Sequence, residues 1–186
     1  MAVWGACYQL ACVANPLMMG MQNFIGPRIA EACIEMPPRE FTRHVYRIAL
    51  FTALLMAGPA ILLSIYADPA LAWLSKGKYT GHSLAITLLC AGIVVQAITF
   101  TLSRGLFALK RADLDLYCNF LPLLTLLTFG VWATHAYGVA GAAGSLLVAQ
   151  FLSATSRAVL FVVAVRASDA PKSDHPRGFA AIQGAA

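Results

Sequence analysis

Residues 116–156 run for 41 positions without a formal charge, taking His135 as neutral. A helix crosses the ~30 Å hydrocarbon core of a bilayer with about 20 residues, so this run is too long for one crossing and about right for two. Residues 1–27, 48–67 and 79–103 are also free of Asp, Glu, Lys and Arg. A water-soluble core built from 186 residues has no room to hide so much apolar surface; 60% of the chain is hydrophobic, 11% is charged, and the mean hydropathy is +0.73. The chain therefore reads as an all-α integral membrane protein with about five transmembrane helices.

The expected spans are 3–26, 47–67, 83–104, 116–134 and 139–165, followed by a cytoplasmic, disordered tail over 167–186. Asn15-Pro16 and Gln22-Asn23 interrupt the first, which reads as a polar-lined, kinked helix because Pro16 removes a backbone donor. Met18, Met19 and Met21 fit gap-filling packing better than an adaptable binding surface. Gly58-Pro59 lies mid-way along the second span and allows a bend there. Trp73 and Tyr79 are interface anchors beyond it, around a short surface helix at ALAWL. The turn between the last two spans falls in WATHAYGVAGAAGS, where Gly138, Gly141 and Gly144 let backbones approach closely.

The net charge of +5 comes from 13 Lys and Arg against 8 Asp and Glu, scattered singly rather than in the stripe that binding to a nucleic-acid backbone needs. Their simpler task is to set orientation. Arg28, Arg39, Arg43 and Arg47 lie between spans one and two, Arg104, Lys110 and Arg111 between three and four, and Arg166, Lys172 and Arg177 at the end. The alternate connections hold only Lys76 and Lys78 and then none, which predicts an external amino terminus and a cytoplasmic carboxyl terminus. Glu31 and Glu35 read as a solvated helix face. Cys7, Cys12, Cys33, Cys90 and Cys118 are odd in number, widely spaced and without CxxC, the usage of small hydrophobes rather than of disulfides or metal ligands.

No HExxH, GxSxG, GxxxxGK[ST] or GxGxxG arrangement and no His cluster with metal-ligand spacing occurs, so neither an enzyme, a metal site nor a cofactor is expected. What stands out is polarity at membrane depth. Gln96 and Gln150 sit deep in the third and fifth spans, each needing a partner on another helix or a wet pathway, and packing is the stronger of those readings. Arg157 reaches either headgroups or a hydrated vestibule. Bendable helices, small-residue faces and isolated amides favour alternating access over a passive scaffold.

The stretch from GLFALKRADLDLY to the final AVR, with its basic connection at 104–115, the YGVAGAA turn at 137–143 and the last helix leading to Arg166, resembles the carboxyl-terminal part of polysaccharide flippases. These belong to the multidrug, oligosaccharidyl-lipid and polysaccharide exporter superfamily. The earlier QNFIGPRIAEA, with Pro27-Arg28, is similar to the family's repeated helix end before a cytoplasmic loop. The resemblance implies part of one half of a two-half alternating-access transporter in a bacterial inner membrane. A missing half or neighbouring helical subunit would be its partner, whether the chain is a fragment or a subunit. The implied substrate is a polyprenyl-diphosphate-linked oligosaccharide. Arg157 and Arg104 would contact phosphate or headgroups, and Gln96 and Gln150 would line the path. For each arginine, plain positive-inside anchoring weighs more. Two alternatives stand beside this one. A cation-coupled multidrug exporter would need an acidic residue at membrane depth, and none falls in the expected spans; a non-transporting structural subunit needs no polar path.

Overall fold

The computed structural model describes residues 2–12, 14–75 and 83–169, and these are almost entirely helical. Lys76, Lys78, Tyr79 and His82, and the expected disordered tail from residue 170 onward, lie outside the described residues. In chain order the helices are α1 (Ala2–Cys12), α2 (Asn15–Glu35), α3 (Pro38–Ile65), α4 (Ala67–Ser75), α5 (Ser83–Ala108) and α6 (Ala112–Thr125). A π-helical turn, Leu126–Gly130, then leads into α7 (Val131–Asp169).

Three stretches are long and apolar enough to cross a membrane: Pro38–Ile65, Ser83–Ala108 and Ala112–Ala167. The exterior is apolar as well, with Leu50, Leu54, Leu62, Leu116, Phe120 and Leu127 among its large exposed side chains. Such a surface is costly in water and ordinary against lipid.

The third stretch has 56 residues. Straight, it would measure about 84 Å at 1.5 Å per residue, well beyond a ~30 Å core. It is instead folded back on itself at Gly138, whose φ of 60° and ψ of −134° suit only a residue without a side chain. Beyond the turn the two arms close tightly. A Cβ on Gly141 would collide with the Ala133 carbonyl oxygen, and one on Gly130 would stand 3.5 Å from Ser145 Oγ. Gly144 meets nothing nearer than Leu88 Cδ1, at 4.0 Å. Of the three glycines in the turn sequence, two are required by the backbone and the third is packing.

Proline punctuates the other hairpin. Met36 and Pro37 are extended, as residues preceding proline tend to be, and Pro38 opens α3 where its missing N–H would have had no helical partner. The α5–α6 connection ends α5 with paired bonds, Arg111 N to Leu106 O at 3.0 Å and Lys110 N to Phe107 O at 2.9 Å. Lys110 takes the left-handed conformation usually given to glycine in this cap, with φ of 57°.

Several expected boundaries move. The span at 3–26 is two helices, not one kinked helix. Pro16 sits at the second position of α2, where lacking an N–H costs nothing, so it starts a helix rather than bending one. Pro27 does not end α2, which continues to Glu35, and α3 begins at Pro38 rather than near 47. The basic connection expected over 28–47 is thus mostly helix, since Arg and Glu are good helix formers and only Pro37-Pro38 interrupts them. Likewise α6 begins at Ala112, upstream of 116, and α7 continues to Asp169, past 165. The ALAWL segment is helical within α4, with Trp73 exposed.

The core falls into three levels along the bundle. At the end near Gly138, Cys7, Ile86, Cys90 and Ala143 cluster. Met18, Met56 and Ala97 meet at mid-height, where Thr52 and Thr101 hydroxyl oxygens lie 3.2 Å apart. At the basic end Ile29, Phe41, Val45, Leu106 and Phe161 pack together, and Gly105 lets the Phe161 ring approach α5. Through these levels α1 and α2 in succession pack along α5, α1 at the first level and α2 at the second and third.

Candidate functional site

Asp115 lies in the opening turns of α6, where a carboxylate also complements the helix's positive end. Arg157 lies on α7, beyond the hairpin turn. Both side chains are buried, with Arg157 4% and Asp115 8% exposed. Arg157 Nε donates to Asp115 Oδ1 at 2.7 Å, Nη2 donates to Asn119 Oδ1 at 2.8 Å, and Nη1 donates to the Ser153 hydroxyl. Asn119 Nδ2 in turn donates to the Asp115 backbone carbonyl at 3.1 Å. Each helix contributes two polar residues four apart, hence on one face, and the two faces meet. This is the only salt bridge among the described residues.

The group forms one wall of a cleft of about 310 Å³ between α5, α6 and α7. Gln96, Thr99 and Ser103 contribute from α5, Gln150 from α7, and Pro122 and Leu126 from where α6 gives way to the π-helical turn. The Thr99 hydroxyl is tied to the Val95 carbonyl at 3.0 Å. Gln96 and Gln150 are half-buried and make no side-chain hydrogen bond among the described residues, so their amides face the cleft with capacity to spare. Arginine carries five N–H donors, of which three are engaged here, leaving two. The site is therefore a net-neutral, donor-rich cleft able to bind hydroxyls and amides and, with some rearrangement of the ion pair, an anion. Among the described residues no group of His, Cys, Asp and Glu could hold a metal ion.

Of the four expected site residues, Arg157, proposed for phosphate or headgroup contact, and Gln96 and Gln150, proposed for lining, come together in this cleft. Arg104 does not join them. It is exposed on α5 and lines a separate cleft with Gln22, Asn23 and Pro27 of α2, because its helical face points to α2 rather than to α7.

Asp115, Asn119 and Ser153 were not expected. Parsing by charge runs ends a membrane segment at its last charge, which put Asp115 in a connection and left the spans without an acidic residue. In the structure Asp115 lies inside α6, within the Ala112–Ala167 stretch. The signal was present as register. Asp115 lies 23 positions before Gly138 and Arg157 19 after it, Asn119 19 before and Ser153 15 after, so the two pairs share one register across the antiparallel hairpin. Comparison of the chain with family models, with curated proteins and with solved structures found no match.

Proposed function

We propose that this chain is a membrane-embedded module of a transporter that moves a polyprenyl-diphosphate-linked oligosaccharide between leaflets of a bacterial inner membrane. The observation that supports this most is the cleft, in which two unpaired amides and a hydrogen-bonded arginine are held inside an otherwise apolar bundle. Amides that find no partner on a neighbouring helix are costly against hydrocarbon and are better met by a hydrated pathway. Amides suit sugar hydroxyls and the guanidinium suits diphosphate. In this reading the chain crosses five times: α1 with α2 as one broken crossing, α3, α5, α6 continuing to Tyr137, and the rest of α7. The arginine-rich end faces the cytoplasm, and a complementary helical half closes the path on the other side.

Asp115 favours a second reading, a cation-coupled exporter, because such coupling needs an acidic residue within a membrane segment and Asp115 is buried inside the apolar Ala112–Ala167 stretch. One experiment separates the two. Asp115→Asn together with Arg157→Gln keeps hydrogen-bonding groups at both positions and removes both charges. In the assembled transporter, lipid-linked sugar transfer should fall at least tenfold at unchanged protein abundance. An unchanged rate would make the pair purely structural and remove the cleft from the transport path. Loss of cation-driven dye efflux, with no glycolipid transfer by the parent protein, would select the exporter reading.

A further inference from the structure

A second concavity lies on the other side of the bundle, between α2 and α3, and takes no part in the Arg157 cleft. It is a groove of about 590 Å³ whose walls are almost wholly apolar. The two helices are antiparallel about Pro37, so Leu17 stands across from Leu55, Phe24 from Ile48, and Arg28 from His44. The groove is hollow where α2 presents Gly20, at which an added Cβ would meet nothing within 4 Å. From Pro16 to Arg28 it runs about 18 Å along the helix, close to the ~15 Å hydrocarbon depth of one leaflet.

Its polar side chains are confined to one end. Arg28 and His44 stand at the basic end of the bundle, and no acidic residue lines the groove. Neither side chain makes a hydrogen bond or ion pair among the described residues; the Arg28 guanidinium instead lies 4.2 Å from the centre of the Phe24 ring, which steers it over the groove. An apolar trough one leaflet deep, with a guanidinium and an imidazole free to donate hydrogen bonds at one end, matches a single class of occupant.

We propose that the α2–α3 groove is a binding site for an anionic phospholipid, with an acyl chain along Gly20 and Phe51 and the phosphate between Arg28 and His44. The site requires the bilayer but not the transport activity, and it stands or falls independently of the Arg157 cleft.

The test uses the full chain carrying Phe51→Trp as reporter, with Trp4, Trp73 and Trp132 each changed to Phe. It is reconstituted in phosphatidylcholine vesicles containing equal fractions of dibrominated phosphatidylglycerol or dibrominated phosphatidylcholine. Bromine quenches a tryptophan that its acyl chain touches, so competition between the lipids reads their relative affinity. Phosphatidylglycerol should be preferred about fivefold or more, the worth of roughly one cationic contact at the membrane surface. Arg28→Gln with His44→Gln should bring the ratio close to one. Gly20→Leu, which fills open space and favours the helix, should also abolish the preference while leaving Arg28 and His44 in place. Four results would overturn the proposal. A parental ratio near one would mean that the groove selects no anionic headgroup, and a preference surviving Gly20→Leu would mean general surface charge rather than a built groove. Weak quenching by both lipids would mean that a protein surface covers the groove. A preference erased by inorganic phosphate but not by chloride of equal ionic strength would reassign the cationic end to a free anion.

Discussion

Arg157 is committed to three neighbours from two helices, and the cost of disturbing it follows from what would be left behind. Removing either charge alone strands the other in a low-dielectric interior, which typically costs about 3–5 kcal/mol, whereas replacing both with apolar residues is often neutral. Arg157→Ala and Asp115→Ala should therefore each lower the unfolding midpoint in detergent sharply. Asp115→Leu combined with Arg157→Met should recover most of the loss. Single variants costing less than about 1 kcal/mol would indicate that water reaches and solvates the pair. Gln96 and Gln150 were legible as residues needing company, because an amide in a hydrophobic run is conspicuous. Asp115 was not, since a charge at the edge of a run looks like the edge itself until the opposite helix is known.

The hairpin formed by α6, the π-helical turn and α7 is what aligns these residues, and its geometry rests on Gly138 and Gly141. At Gly138 any side chain meets backbone strain, and at Gly141 a methyl group has no room against the Ala133 carbonyl. Gly141→Ala should destabilise the protein by about 2 kcal/mol or more, read as loss of the monodisperse peak on heating in detergent. Gly144→Ala should be close to neutral, because only ordinary van der Waals contact awaits it. Equal effects at both positions would mean that the hairpin is not closed as described. Glycine spacing pointed to this turn in the sequence. The π-helical turn gave no such sign, since no residue type demands the extra position between Leu126 and Gly130.

At the scale of the whole molecule, the arginine-rich connections at Pro37 and Lys110 share one end of the bundle, and Tyr66 and Gly138 share the other. In a cysteine-free background in a bacterial inner membrane, a cysteine at Lys110 should react only with a reagent supplied from the cytoplasm. One at Tyr137 should react only from outside, and the reverse pattern would invert the orientation. Hydropathy and charge runs by themselves determined that the chain is helical, with helices long and apolar enough to cross a membrane, because in hydrocarbon only closed backbone hydrogen bonding and an apolar exterior survive, and both are properties of local sequence. The tertiary structure alone decided which polar residues come together: Arg157 joins Asp115 across 42 positions, Gln96 and Gln150 line the same cleft, and Arg104 turns away toward α2. That partition depends on the rotation and register of packed helices, which small shifts in a turn or a single π-helical insertion reset, and no window of sequence shorter than the bundle contains it.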